Sequence, residues 1–353
     1  MNVLIHSATS RFPNPRLHRP LRTSLRQCVF SVRSSFNLPF QEQKAKYYEH
    51  LQAAVGVVER ACRLCVDVQK SLFSSDGKII EKMDKTPVTV ADFGAQALIS
   101  LEMSKLFPSI PLVAEEDSAF VRENNLVDAV VEVVSDKATI GDKELSQDDV
   151  LKAIDRGGKD AYVFGPEPAT YWILDPIDGT RGFVKGSEAL YVVGLALIVE
   201  GEIVLGVMGC PNWQDEHLDE FNKVQGDAES QTWESLPLST QFDAVTNANS
   251  VGEKQILLLP ACCGSLCKYL MVASGRASVF IVRARTKTII KVWDHAVGVI
   301  CISEAGGRVT DWKGSQLDFA ADQIERRVLF PSGGILVTND RLHNQILEII
   351  SSS

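Results

Sequence analysis

The run Tyr171-Trp172-Ile173-Leu174-Asp175-Pro176-Ile177-Asp178-Gly179-Thr180-Arg181-Gly182-Phe183 sets two carboxylates three residues apart, after an apolar strand and before a turn. Pro176 has no N–H and a fixed φ, so the chain is expected to leave the strand at Asp175 and curl, bringing Asp178 back beside it. Two carboxylates that close repel each other unless a cation lies between them. With the Ile177 carbonyl as a third oxygen they suit Mg²⁺, which takes carboxylate, carbonyl and water oxygens. Gly179 and Thr180 begin the next turn, where backbone N–H groups and the Thr180 hydroxyl would seat a phosphate. Taken alone, Asp-Pro and Asp-Gly are also ordinary turn signals.

Three further stretches place acids at the ends of expected elements. In Asp84-Lys85-Thr86-Pro87-Val88-Thr89-Val90-Ala91-Asp92 a loop feeds a helix, with Asp92 read as its N-cap. Pro111-Leu112-Val113-Ala114-Glu115-Glu116-Asp117 is a short apolar strand ending in three acids. Lys291-Val292-Trp293-Asp294-His295-Ala296 opens a helix that runs to Glu304 and is closed by Gly306 and Gly307.

In this order the four pieces resemble the Mg²⁺-dependent inositol monophosphatase superfamily, and within it the 3′(2′),5′-bisphosphate nucleotidases, over roughly residues 45 to 350. The resemblance implies that Glu115, Asp175, the Ile177 carbonyl, Asp178 and Asp294 hold Mg²⁺. It leaves Asp84 and Thr180 to orient the water that attacks phosphorus in line. The implied reaction removes the 3′-phosphate of adenosine 3′,5′-bisphosphate, giving AMP and phosphate, and extends to its sulfated form. An inositol polyphosphate 1-phosphatase is the alternative within enzymes. On the substrate side the resemblance implies Ser265, Lys268 and Arg283 for the nucleotide and its 5′-phosphate, with Thr180 and Asp294 also facing substrate. The helix around Lys268 would point its N-terminal dipole at the same anion. Arg285 and Lys287 read equally well as a solvated basic face. His295 reads as a packing or capping residue rather than a general acid, and Glu116 and Asp117 as outward-facing acids.

The elements that must carry these groups are legible from apolar periodicity. Helices are expected over residues 42–72, 92–107, 147–157, 263–274, 293–304 and 340–350. Strands are expected over 110–114, 171–174, 256–260, 277–282 and 335–338, with a tight hairpin joining 190–199 to the strand that resumes at 203. The fold class is therefore α/β, an α+β first half and an α/β second half. The resemblance implies the layered αβαβα sugar-phosphatase arrangement with the metal site between the halves. Residues 41–222 form the first, metal-binding domain on this reading, and 223–353 the second, which completes the site. Cys62 and Cys65 fall in an apolar helical series with Leu51, Ala54 and Val58, so they read as core rather than as half of a zinc site.

With 353 residues, 45% of them apolar, the chain can bury a sizeable core. Its net charge is −9, yet the first forty residues hold six arginines and no acid, which leaves a body of −15. So acidic a body argues against nucleic-acid polymers as partners and not against a small phosphate ester. The Arg- and Ser-rich segment 1–40 has the composition of a mitochondrial or chloroplast transit peptide, and no stretch is apolar enough to span a membrane. One region departs from the resemblance: Gln214 to Thr246 is short, acidic and polar where relatives continue through a Gly-rich strand pair. Loss of central strands would expose sheet edges, and a catalytically impaired nucleotide-binding isoform is the expectation outside enzymes.

Overall fold

The computed structural model describes residues 2–7, 46–74, 80–81, 87–138, 145–186, 189–213, 250–251, 254–258, 264–286 and 289–352. The elements of the first half are β1 (Asn2–Ser7), α1 (Tyr48–Ser74), β2 (Ile80–Glu81), β3 (Pro87–Val88), α2 (Val90–Leu106), β4 (Leu112–Ala114), α3 (Ser118–Glu123), α4 (Val127–Ser135), α5 (Gln147–Gly157), β5 (Tyr171–Asp178), the single turn α6 (Thr180–Phe183), β6 (Val192–Val199) and β7 (Glu202–Gly209). The second half holds β8 (Ser250–Val251), β9 (Lys254–Leu258), α7 (Ser265–Ala273), β10 (Val279–Arg283), β11 (Ile290–Lys291), α8 (Ala296–Glu304), β12 (Gly307–Asp311), β13 (Val328–Leu329), β14 (Gly334–Asn339) and α9 (Asp340–Ser351). The expected boundary at residues 222/223 lies outside the described residues.

Two sheets alternate with three helical layers. The first sheet has the order β4-β5-β6-β7 and the second β12-β14-β10-β1-β9-β8. Helices α1 and α2 cover one face of the first sheet, burying Val57, Ala61, Leu64, Leu98 and Ile99 against Trp172, Leu174, Leu195 and Leu197. On its other face lie α7 and α8, where Leu266 and Val297 meet Ile173, Ala196 and Ile198. The same two helices pack on the second sheet, burying Phe280 and Val337, and α9 closes that sheet's outer face over Val279, Ile281 and Leu336. Because β5 and β6 are buried on both faces, they read as continuous apolar runs rather than alternating ones. Cys65 is buried and Cys62 half-buried in the α1 face, as the periodicity implied.

Three expectations are corrected. The chain does not leave the strand at Asp175: β5 runs on to Asp178 through a register shift. The helix expected from residue 293 begins at Ala296, because Val292–His295 form a turn in which the His295 N–H donates to the Val292 carbonyl at 3.1 Å. The helix expected from residue 92 begins at Val90, and its N-cap is Thr89 rather than Asp92. The 200–201 hairpin turn is as expected, with φ of 52° at Glu200 and 86° at Gly201, the two positive values a two-residue turn needs. The order of strands in the second sheet was not anticipated. Neighbours within it pair antiparallel, and β1, from the segment read as a leader, lies between β10 and β9 with Leu4 opposite Phe280 and Ile5 opposite Leu258.

Candidate metal centre and active site

Side chains three apart on a regular strand point to opposite faces. Between Asp175 and Asp178 the pairing shifts: Asp175 faces Gly194 while Asp178 faces Val192, so three steps on β5 match two on β6. The extra residue is accommodated where Pro176 has no N–H to offer, and it turns both carboxylates to one side. Parallel pairing of β4 with β5 sets Ala114 opposite Leu174, so Glu115 follows beside Asp175. From the second half, the turn ahead of α8 delivers Asp294, and carboxylate oxygens of Asp175, Asp178 and Asp294 lie within 4.8 Å of one another.

The electrostatics are those of a site built for cations. Asp175 is 1% exposed and its Oδ1 has no protein partner. Burial first, then the charges of Glu115, Asp178, Asp294 and Asp92, push its carboxyl well above the usual range. Asp294 is pushed up in the same way, by burial and then by Asp178 and Glu115, with Lys291 opposing. Asp178 is pushed up by burial to about 6, held back by Lys268 and by backbone N–H groups of α7. An orphaned buried carboxylate oxygen among these acids fits a hard divalent cation, which Asp175, Asp178 and Asp294 could hold, with Glu115 and the Ile177 carbonyl as the further oxygens expected from the sequence.

The start of α7 is committed differently from the sequence expectation. Its dipole does not await a substrate anion: Ser265 N–H donates to Asp178 Oδ1 at 2.9 Å and Leu266 N–H to Oδ2 at 2.6 Å. The anion at this helix end is the Asp178 carboxylate itself. A Cβ at Gly264 would collide with the Asp178 carboxylate, so only glycine permits the approach. Lys268 is buried, donates to the Gly264 carbonyl at 3.0 Å and lies over the Phe280 ring. Its charge therefore acts on Asp178. Arg283 ends β10 opposite Gly334, half-buried. His295 is buried and neutral, its pKa pushed down to about 3 by burial and then by Lys268, with Nδ1 2.9 Å from the Tyr269 hydroxyl. Its burial and its Tyr269 contact fit packing rather than proton donation.

Asp84 lies outside the described residues. Among the described residues, the carboxylate that meets the Thr180 hydroxyl is Asp92, whose Oδ1 accepts from Thr180 Oγ1 at 3.1 Å. Its Oδ2 accepts from the N–H and the hydroxyl of Thr89, both at 2.8 Å, closing a capping box. The Thr180 hydroxyl also lies 3.2 Å from the Ile177 carbonyl. Sequence reasoning spent Asp92 on capping and missed its second oxygen. The signal was present: a capping-box acid at N3 uses one oxygen for the helix and keeps the other for a neighbour.

The layered architecture has solved counterparts. The extragenic suppressor protein suhB of Bartonella henselae superposes with a TM-score of 0.53 at 17% identity, covering 86% of this chain and 99% of that one. At that identity the likeness defines the fold class alone. Sequence carries it further: residues 43–353 match the Inositol monophosphatase family, and the chain belongs to that family. It is 60% identical over 375 residues to a putative 3′(2′),5′-bisphosphate nucleotidase, mitochondrial, of Arabidopsis thaliana, with 95% of this chain and 94% of the relative covered. It is 34% identical over 349 residues to 3′,5′-bisphosphate nucleotidase 2 of the same plant, with 87% and 97% covered. The first of these alignments is 375 positions long against 353 residues here, so that relative carries at least 22 residues without a counterpart in this chain.

Proposed function

We propose that the protein is a Mg²⁺-dependent phosphomonoesterase that removes the 3′-phosphate of adenosine 3′,5′-bisphosphate, giving AMP and phosphate, and that it acts in an organelle. The convergence of Asp175, Asp178 and Asp294 around an unpartnered buried oxygen, with the charge of Glu115 acting on Asp175, in a chain so close to a protein named for that activity and as mitochondrial, carries the reading. Mg²⁺ supplies positive charge that lets a dianionic phosphate approach these acids and that favours ionisation of a nearby water. The chain's own residues do the rest. Asp92 accepts from Thr180, and this pair orients and receives the proton of the attacking water, a role that the Thr180–Asp92 contact supports. Lys268 acts through Asp178, and Ser265 through its backbone N–H, rather than both gripping nucleotide.

The test is phosphate release from adenosine 3′,5′-bisphosphate by purified protein with and without Mg²⁺, beside inositol 1,4-bisphosphate. Mg²⁺-dependent release from the nucleotide alone is expected, and no release from it by folded protein would overturn the reading. The residues this chain lacks relative to its mitochondrial-named relative favour one second reading, an isoform that binds the nucleotide without hydrolysis. Saturable binding with no turnover would support it.

A further inference from the structure

Glu115 comes from the first half of the chain and Asp294 from the second, so the distance between these proposed ligands depends on whatever ties the halves together. Two consecutive arginines make such a tie. Arg326 is fully buried at a φ of 56° and reaches the carbonyls of Gly165 at 2.6 Å, Glu167 at 3.0 Å and Ala320. Arg327 donates from Nη2 to the carbonyls of Gly157 at 2.8 Å and Gly158 at 2.6 Å, the C-terminal end of α5. That helix end carries partial negative charge, which suits a guanidinium.

Each end of the Arg327 bridge touches the metal site's backbone. Gly158 abuts the residue after Glu115 so closely that a Cβ on it would collide with the Glu116 carbonyl. The buried Gln96 amide pins the same residue, donating to the Glu116 carbonyl at 2.6 Å and accepting its N–H at 2.9 Å. On the other side the Arg327 guanidinium stands 5.7 Å from the Trp293 ring centre, and its carbonyl accepts the Val292 N–H at 2.9 Å. Trp293 and Val292 immediately precede Asp294. The Arg327 N–H is itself fixed by Asp322 Oδ2 at 2.9 Å.

We propose that Arg327 is a positioning residue of the metal site, holding the Glu115 loop and the Asp294 turn at their working separation by clasping α5 while resting on Trp293. This rests on the divalent-metal reading above. A lysine at this position cannot make the forked contact to two carbonyls and stack at once. The experiment is Mn²⁺ titration of full-length protein followed by electron paramagnetic resonance, with Mg²⁺ activation of turnover measured alongside. Arg327→Lys should weaken Mn²⁺ binding about tenfold and raise the Mg²⁺ needed for half-maximal turnover by a like factor, as loss of an outer-shell contact does. Its kcat at saturating Mg²⁺ should stay within about threefold, because the reacting groups are untouched.

Arg326→Lys, which loosens the same seam at Gly165 and Glu167, should leave Mn²⁺ affinity unchanged. Unaltered Mn²⁺ affinity in Arg327→Lys, or equal weakening in both variants, would overturn the proposal. Should Arg327→Lys fail to fold, Trp293→Leu, which removes the platform and keeps the arginine, carries the same expectation and the same power to refute. Wild-type protein that binds no Mn²⁺ would instead sink the metal reading, and this inference with it.

Discussion

Asp92 and Thr180 give the sharpest test at the scale of single residues. Asp92→Asn should lower kcat by roughly 10²-fold or more, the usual cost of losing a positioned acid or base, while Asp84→Asn changes it little. Steady-state phosphate release decides between the two carboxylates, and a large loss on Asp84→Asn with none on Asp92→Asn would reverse the assignment. The buried acids predict a pH dependence as well. Burial pushes the Asp178 carboxyl up to about 6 and shifts Asp175 and Asp294 upward as well, so in metal-free protein these groups bind protons more tightly than in the unfolded chain. The stability they contribute is present below the unfolded carboxyl value and is lost as pH rises through their raised values, about 6 for Asp178. Mg²⁺ replaces the protons, so the rise in Tm on adding Mg²⁺ should grow between roughly pH 5 and pH 8. Melts with and without the cation check this, and a rise that shrinks with pH would count against the ligand set.

Among elements, the contact of α7 with β5 governs the site. Gly264→Ala should drive the helix start off Asp178, costing about 1–3 kcal/mol of stability and more of the metal affinity, read by denaturant melts and Mn²⁺ titration. The elements that sequence made legible are those with a long apolar period: α1, α2, α5, β6, β7 and α9 stand within a few residues of their expected ends, apart from the part of the first helix outside the described residues. Glu115, Asp175, Asp178 and Asp294 stood out for another reason, as acids set against short apolar runs, and they fall after β4, within β5 and ahead of α8. What escaped was set by tertiary contact. The β5 bulge depends on register with β6, which no local pattern states. Strand β12, Gly-Arg-Val-Thr-Asp, has one strongly apolar residue and is a strand because β14 pairs with it. Lys268 carries a charge that composition assigns to a surface, and the fold turns it inward to Asp178.

For the whole molecule, the first strand is the feature with the widest reach. Deleting residues 1–7 should leave β9 and β10 without their shared neighbour, lowering Tm and raising dye binding to exposed apolar surface. An unchanged melt would show that the sheet stands without β1. The order of synthesis adds something the finished fold hides. β1 is made ahead of its two partners, which lie beyond residue 250, and at about 5–20 residues per second that is a delay on the order of 10–50 s. Throughout that interval β1 has neither of its two sheet partners. The second sheet can therefore close only after β10 has been made, and translation speed sets how long its interior strand β1 waits.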